Sequence, residues 1–198
     1  MSQLIESIKL LDGEFFNLHY HQHRMDHSVR ELLDDANPPN LSMTFEEMSY
    51  PQEGLFKCRV IYGTVIRSIE FIEYKPEFPK RLKVVVDDSV EYAHKFQDRS
   101  SLDTLYQLRG DADDILIVRK RLVTDSYYHN VLFFDGRRWL TPDTPLLRGT
   151  MRQQLLDQAA ITESRITVDD IRSFKKLKLI NALVGFTSPE IDVSNIVF

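Results

Sequence analysis

The feature that most constrains the fold is the alternation of short β-rich runs with segments of helical periodicity. The β-rich runs lie at residues 5–11, 55–61, 64–74, 82–86, 114–118 and 131–134. Apolar side chains recur at helical spacing at residues 20–33, 101–108 and 150–160. β-branched and aromatic residues favour strands, whereas a period of 3.6 residues indicates an amphipathic helix. Because the two patterns are interleaved along the chain, we predict an α/β (α+β) fold.

Two prolines mark the best position for a boundary between lobes. Pro76 and Pro79 interrupt the pattern between a predicted strand ending at Tyr74 and another beginning at Leu82. A chain of 198 residues is long enough to form two small lobes, each with its own core. We therefore predict a small N-terminal α/β lobe at residues 1–80 and a C-terminal lobe at residues 81–198.

Charge and apolar patterning exclude several classes of function. The formal net charge is -5, whereas a surface that binds nucleic acid is basic. No apolar run approaches the roughly 20 residues that a membrane-spanning helix needs. The first residues also lack the basic end and apolar core of a signal peptide. We therefore expect a cytoplasmic protein that binds neither nucleic acid nor membranes.

The cysteine and histidine content argues against a metal site. Cys58 is the one cysteine and is expected to be a buried, inert thiol. Four histidines lie close together near the N-terminus: His19, His21, His23 and His27. Neither cysteines nor a compact set of carboxylates accompany them. We therefore interpret them as a polar strand end that runs into the exposed face of a helix, and expect no metal.

Lys95 stands out because of the segments that surround it, since an isolated lysine is usually a solvated surface residue. Lys95 and Arg99 lie between a predicted strand and a predicted helix. Four further segments complete the pattern: His21, Arg24, Met25 and Ser28; Thr124 and Asn130; Thr141-Pro142; and Gly149 with Arg152. Near the end of the chain stands Asn181-Ala182-Leu183-Val184-Gly185.

Taken in their order along the chain, the segments resemble the motifs of the class IV (fold-type IV) pyridoxal 5'-phosphate (PLP)-dependent aminotransferases and lyases. The family pattern is His-x-x-Arg-(apolar)-x-x-Ser, then Lys-x-x-x-Arg, Thr-Glu-x-x-x-x-Asn, Thr-Pro and Gly-x-x-Arg. The final segment is similar to the Asn-Ala/Ser-Leu-Arg-Gly motif of the aminodeoxychorismate lyase branch. The resemblance spans almost the whole chain. It implies two α/β lobes with the cofactor between them, and a homodimer whose partner chain helps to close each site.

The resemblance also implies a set of site residues. Lys95 is the implied catalytic residue, because a lysine amine forms the resting Schiff base with PLP and can then move a proton at the reacting carbon. Arg99 is the implied substrate-binding residue, because its positive charge suits an anionic substrate. The implied cofactor-binding residues are Arg24, Lys95, Asp125, Gly149, Thr150, Met151, Asn181 and Ala182.

Elementary chemistry supports two parts of this set. Gly149 to Met151 open the clearest predicted helix, so backbone amides and the positive end of the helix dipole form an anion site there. The guanidinium of Arg24 suits a phosphate because it donates two parallel hydrogen bonds. Arg152, by contrast, is expected to be a helix-surface or structural residue.

The sequence leaves three functions open. The segments from Lys95 and from Gly149 look closest to 4-amino-4-deoxychorismate lyase, which releases pyruvate to leave 4-aminobenzoate for folate biosynthesis. Val184 stands where that branch carries arginine, which leaves an aminotransferase acting on a branched-chain or D-amino acid as the alternative. Asp125 stands where the family has a longer glutamate against the pyridine nitrogen of the cofactor. That departure motivates a third hypothesis, a catalytically impaired binding protein.

Overall fold

The computed structural model describes residues 3–33 and 37–198, and the chain divides into two compact units. The first comprises the chain up to Pro76 together with His94–Asp98. The second comprises Glu77–Ala93 together with Arg99–Phe198. The first unit ends at Pro76 along the chain, whereas the predicted boundary stood after residue 80. The position of Lys95 differs from the prediction, because the C-terminal lobe was expected to contain it and the first unit does.

The first unit is built on an antiparallel sheet with the strand order β2-β1-β3-β4. Its strands are β1 (Leu4–Leu11), β2 (Glu14–Phe15), β3 (Leu55–Tyr62) and β4 (Ile66–Glu73). Alternation along β1 places Leu4, Ile8 and Leu10 in the core. Glu6 has the same phase and is equally buried. The apolar face of β1 therefore carries one carboxylate in its middle.

Two helices complete the first unit, α1 (Leu18–Leu32) and α2 (Leu41–Glu46). The Asp12-Gly13 turn predicts a hairpin partner strand at residues 15–18, but β2 ends at Phe15 and Leu18 already begins α1. The reason is Asn17, whose left-handed conformation (φ 56) turns the chain into the helix. The sequence around residues 45–48 weakly favours a helix. Helix α2 begins earlier, at Leu41, because the side chain of Asn40 caps it by accepting a hydrogen bond from the Met43 amide.

A short segment around Lys95 is attached to the edge of β1. The Ile5 amide donates to the Lys95 carbonyl at 2.9 Å, and the Gln97 amide donates to the Gln3 carbonyl at 2.8 Å. Between these bonds, Phe96 forms an antiparallel bridge with Leu4 and packs against the core of the first unit. This backbone pairing is the reason that Lys95 belongs to the first unit.

The second unit contains a larger mixed sheet with the strand order β10-β9-β8-β7-β6-β5-β13, in which β11 pairs with β8 and β12. Its strands are β5 (Leu82–Val86), β6 (Asp114–Arg119), β7 (Leu122–Ser126), β8 (Asn130–Phe134), β9 (Trp139–Pro142), β10 (Thr162–Ser164), β11 (Lys176–Ile180), β12 (Glu190–Asp192) and β13 (Ile196–Val197). Its helices are α3 (Ser100–Gln107), α4 (Thr150–Asp157) and the 3-10 turns Asp169–Ser173 and Val193–Asn195.

The core of the second unit is formed by the central strands. Phe133 on β8 and Leu177 on β11 are fully buried and pair directly across the two strands. The predicted strands at residues 82–86, 114–118 and 131–134 are confirmed as β5, β6 and β8. Strands β10, β12 and β13 were not predicted, because runs of three, three and two residues are too short to show an alternating pattern.

Two further expectations concern single residues and helix length. Cys58 lies buried on β3, and burial raises the pKa of its thiol to about 12, as expected of an inert cysteine. None of the helices in the described parts of the chain is long and apolar enough to cross a membrane.

Candidate active site

In the first unit, a buried carboxylate holds two side chains of α1. Arg24 donates from Nε to Glu6 Oε1 at 2.8 Å and from Nη2 to Glu6 Oε2 at 2.5 Å. His21 Nδ1 lies 2.6 Å from the same Oε2. Because His21 and Arg24 are three residues apart, both project from one face of the helix toward β1. Glu6 therefore anchors two members of the His-x-x-Arg motif at once.

The electrostatics of this group are strongly perturbed. Burial alone would raise the pKa of Glu6, but the charge of Arg24 and hydrogen bonds from His21 and Arg24 bring it down to about 2. Burial also lowers the pKa of His21, and the hydrogen bond to Glu6 opposes that shift. A neutral His21 can donate Nδ1–H to the carboxylate without adding charge. The group therefore contains one ion pair and one neutral donor.

Lys95 lies near this group. It is half-buried, and its charge is one of the causes that lower the pKa of His21. The first unit thus brings together two of the predicted site residues, Lys95 and Arg24. Two cations stand against the single carboxylate of Glu6, so the cluster carries a net positive charge that suits an anion.

The remaining members of the motif on α1 hold the segment that carries Lys95. Ser28 Oγ lies 3.2 Å from Nδ1 of His94, the residue before Lys95. The other ring nitrogen of His94 lies 3.5 Å from a carboxylate oxygen of Glu31. Met25 packs in the core of the same unit. Each residue of the motif therefore has a contact that explains its position.

In the second unit, Asp125 ties two chain segments together. Its Oδ1 accepts from Asn130 Nδ2 at 2.7 Å, and its Oδ2 accepts from the Leu147 amide at 3.0 Å. Asn130 Nδ2 also donates to the Leu147 carbonyl at 2.8 Å. Burial raises the pKa of Asp125 to about 6, although the hydrogen bonds from Leu147 and Asn130 oppose the shift. The carboxylate thereby fixes the loop that leads to α4.

Gly149 stands between this loop and the first turn of α4. A Cβ atom at Gly149 would lie 2.0 Å from Asn130 Oδ1, so any other residue here would require the Asn130 side chain to shift. The helix begins at Thr150, which is buried, and Met151 follows half-buried. The expected helix from residue 150 is confirmed, although it ends at Asp157 rather than at residue 160. The start of α4 keeps the character of an anion site, because the first turn of a helix presents backbone amides.

The loop that contains Asn181 and Ala182 is ordered by the Asn181 side chain. Asn181 Oδ1 accepts from the amides of Leu183 and Val184 at 2.8 and 3.1 Å. Its Nδ2 lies 3.5 Å from the carbonyl of Tyr128, in the turn between β7 and β8. Asn181 thus shapes its own loop and connects it to the turn beside Asp125.

Arg99 lies among tyrosine rings. Its guanidinium carbon is 4.7 and 4.4 Å from the ring centroids of Tyr127 and Tyr128, and 5.5 Å from that of Tyr92. Arg99 Nη2 also donates to the Tyr127 carbonyl at 2.6 Å. These contacts hold the turn between β7 and β8, which Asn181 also contacts. Substrate binding by Arg99 stays a prediction.

Arg152 is a structural residue, one of the two alternatives expected. It is among the largest fully buried side chains. Nη2 of Arg152 donates to the Pro142 carbonyl at 2.9 Å and to a carboxylate oxygen of Glu163 at 2.5 Å. Arg152 therefore joins α4 to strands β9 and β10.

The four histidines near the N-terminus do not share one environment. His21 is buried against Glu6, whereas His27 is exposed and pairs with Glu31 at 2.9 Å. The histidines lie on α1, so the alternative of a strand end is wrong for this segment. Among the described residues, no group of three or more possible ligands is arranged to hold a metal ion.

Glu6 is the residue of the site that the sequence analysis missed. The sequence contained a signal for Glu6, because it alternates with the apolar residues of β1 and therefore lies on their face of the strand. A carboxylate buried on such a face needs a partner. The residues present fit a phosphorylated cofactor with an aldehyde: an amine at Lys95, a guanidinium at Arg24 and a helix start at Thr150. This fit rests on the chemistry of the donor groups within each unit.

Comparison with known proteins identifies the relatives of the chain. The model of the family described as "Amino-transferase class IV" matches residues 102–188. An uncharacterized protein of Haemophilus influenzae is 35% identical over 187 residues, which cover 93% of this chain and 100% of that protein. A solved structure of a proposed 4-amino-4-deoxychorismate lyase from Haemophilus somnus is 31% identical, with a TM-score of 0.88. That match covers 94% of this chain and 98% of the other.

More distant structures share the fold. A proposed amino-acid aminotransferase from Mesorhizobium loti superposes with a TM-score of 0.79 at 21% identity, over 97% of this chain and 98% of the other. A hypothetical aminotransferase from Mycobacterium tuberculosis, in its PLP-bound form, superposes with a TM-score of 0.78 at 16% identity, over 96% of this chain and 80% of the other. The expected fold class, that of the fold-type IV PLP enzymes, is confirmed.

We predict that Gly149→Ala destabilises the protein. The added methyl group must displace Asn130, which costs roughly 1–3 kcal/mol for overpacking and disturbs the Asp125 hydrogen bonds. Urea unfolding monitored by circular dichroism measures the change. Gly63→Ala is the matched control, since a Cβ atom there meets no atom within 4 Å. Equal free energies of unfolding for both variants would contradict this account of Gly149.

We also predict that Asp125 makes stability depend on pH. The pKa of its carboxyl is about 6 in the folded protein against a usual 3.8, so the folded state binds the proton more tightly. The free energy of unfolding therefore falls as pH rises from about 4 to about 6, by roughly 3 kcal/mol from this group.

Asp125→Asn removes this dependence. Unfolding of both proteins in urea from pH 4 to pH 7 gives the difference in stability directly. Wild type should lose stability relative to the variant across this range. A difference that stays constant with pH would show that Asp125 does not titrate there.

Proposed function

The chain belongs to the class IV aminotransferase family, and from that premise we propose that it binds PLP at Lys95 and acts as a 4-amino-4-deoxychorismate lyase. The family is PLP-dependent, and the chain is an enzyme. The observation that carries the proposal is the positive cluster of Lys95 and Arg24 around buried Glu6, since an amine and a guanidinium are the groups this cofactor requires. The similarity to the Haemophilus somnus protein, over 98% of that chain, favours the lyase.

Residues of the first unit supply the amine and part of the anion site. Lys95 is attached to β1 through its carbonyl, which limits how far its amine can move. Lys95 lies close enough to the group of Glu6, His21 and Arg24 for its charge to act on His21, and a lysine amine can take up and return a proton during a reaction. Arg24 attracts the phosphate group. When bound, PLP supplies an electron-withdrawing ring that stabilises negative charge at the substrate carbon attached to nitrogen.

Residues of the second unit complete the proposed set. We assign part of the anion site to Gly149, Thr150 and Met151, since α4 begins there and the first turn of a helix offers backbone amides. Asn181 and Ala182 belong to the same proposed set, in a loop that the Asn181 side chain orders. Asp125 takes the role of the family glutamate at the pyridine nitrogen. Both of its oxygens accept hydrogen bonds, and each carboxylate oxygen has a second lone pair for a further donor.

The reaction releases pyruvate while the ring of the substrate becomes aromatic. Lys95 removes the proton from the ring carbon that bears the amino group, and the bond between the neighbouring ring carbon and the enolpyruvyl oxygen breaks. Lys95 then returns a proton to the methylene carbon of the released enolpyruvate, which becomes pyruvate. Arg99 is proposed to bind the anionic substrate through its positive charge. A homodimer and a cytoplasmic location belong to the same proposal.

An aminotransferase is the second candidate, and Val184 is the observation that favours it. The lyase branch carries arginine at this position of its last motif, whereas Val184 is buried and uncharged. An amino-group transfer would use the same Lys95 and the same anion site, but it would need a 2-oxo acid as acceptor.

We expect the cofactor to attach to Lys95. Protein purified with PLP and freed of excess cofactor should lose its visible absorption band on borohydride reduction. Peptide mass mapping should then find one pyridoxyl group on Lys95. Lys95→Ala should abolish the label, whereas Lys83→Ala on β5 should retain it. A pyridoxyl group on another lysine would contradict the assignment.

We expect pyruvate release without an acceptor. Incubation with 4-amino-4-deoxychorismate should form pyruvate and 4-aminobenzoate in equal amounts, and Lys95→Ala should lower the rate by at least about 100-fold because its proton transfers are lost. A coupled lactate dehydrogenase assay measures the pyruvate. A product that forms only after a 2-oxo acid is added would reject the lyase in favour of the aminotransferase.

A further inference from the structure

Glu6 is an unusual residue for the centre of a strand. Its side chain is fully buried between core positions of β1, and a buried carboxylate costs several kcal/mol unless it is paired and hydrogen-bonded. Apolar residues occupy the neighbouring positions of the same face, Leu4 and Ile8. An apolar side chain at this position would fill the core equally well. Glu6 therefore has a role other than filling the core.

The geometry of the ion pair indicates that role. Glu6 receives hydrogen bonds from both Nε and Nη2 of Arg24, at 2.8 and 2.5 Å. Two parallel bonds fix the plane of a guanidinium, whereas one bond leaves it free to rotate. The Arg24 side chain is also largely buried, at 13% exposure. Its orientation is therefore set by Glu6 and not by solvent.

His21 fixes Glu6 in turn. Its Nδ1 lies 2.6 Å from Glu6 Oε2, and its side chain is fully buried. A neutral imidazole adds a donor to the carboxylate without adding a second positive charge. The order of contacts is therefore His21 to Glu6 to Arg24, with α1 supplying both ends and β1 the middle.

We propose that Glu6 is a positioning residue for anion binding by Arg24, and that His21 holds Glu6 in place. The inference rests on the proposed function, because the anion concerned is the phosphate group of PLP. Glu6 then controls the affinity for the phosphate and leaves the reaction of Lys95 with the aldehyde unaffected.

Binding of two related ligands distinguishes a role of Glu6 in phosphate binding from a general effect of Glu6 on the fold. PLP and pyridoxal share the ring and the aldehyde and differ by the phosphate. Equilibrium dialysis of the purified protein gives a Kd for each, and the ratio of the two measures the contribution of the phosphate. A residue that only stabilises the fold changes both affinities together.

Glu6→Gln is the test variant. The amide keeps the shape of the side chain but loses the charge that holds both donors of Arg24. We expect the affinity for PLP to fall roughly 10- to 100-fold, as for the loss of a charge-assisted hydrogen bond. The affinity for pyridoxal should change by less than about threefold, which is within the context dependence of a single contact.

The sheet of the first unit offers a matched control. Glu70 on β4 pairs with Arg59 on β3 at 3.1 Å, in an exposed ion pair of the same chemical type. Glu70→Gln should leave both affinities unchanged. His21→Gln, which alters the donor to Glu6 and not Arg24 itself, should give an intermediate loss of PLP affinity. If Glu6→Gln does not fold, Glu6→Asp, which keeps the charge at a shorter reach, takes its place with the same expectation.

Three results would contradict the proposal. Equal losses for PLP and pyridoxal would assign Glu6 to the fold alone. An unchanged PLP affinity in a folded Glu6 variant would show that Arg24 binds the phosphate without it. Wild-type protein that binds neither compound would reject the proposed function itself, and the inference with it. The first two results leave the proposed function standing, so the two failures are distinguishable.

Discussion

The buried pair between Glu6 and Arg24 is the interaction on which the polar site of the first unit depends. It joins the buried face of β1 to α1. On that face Glu6 stands between the apolar residues Leu4 and Ile8. Because the carboxylate is removed from water, it requires the guanidinium and the His21 donor for its own stability. The same requirement places two residues of the helix face, His21 and Arg24, against the strand. Lys95 then reaches this face by a separate route, the backbone pairing of its segment with the start of β1.

The second unit holds its part of the proposed site with bonds between side chains and backbone groups. Asp125 links β7 to the loop before α4 through Asn130 and the Leu147 amide. Gly149 permits the close approach of Asn130, and α4 starts at the next residue. Arg99 and Asn181 each contact a carbonyl of the turn beside Asp125. The helix start that suits an anion is therefore fixed by several contacts, each of which depends on a specific side chain.

Much of the fold was predictable because its strands and helices are long enough to show a period. Strands β5, β6 and β8, and the helices that start near residues 100 and 150, follow from local pattern. The shortest strands do not, since two or three residues carry no periodic signal. The position of Lys95 was also misjudged, because its segment joins the first unit by long-range hydrogen bonds that no local pattern encodes.

For the site, the sequence by itself determined which side chains share a face of α1. The spacing of His21, Arg24, Met25 and Ser28 follows from 3.6 residues per turn and needs no neighbours. It also placed Gly149 before a helix, where amides attract an anion. Only the tertiary structure decided that Glu6 is the partner of Arg24. A strand has two faces, and which of them is buried depends on the elements that pack against it. The environment of Glu6 is therefore set by α1, which supplies Arg24 and His21.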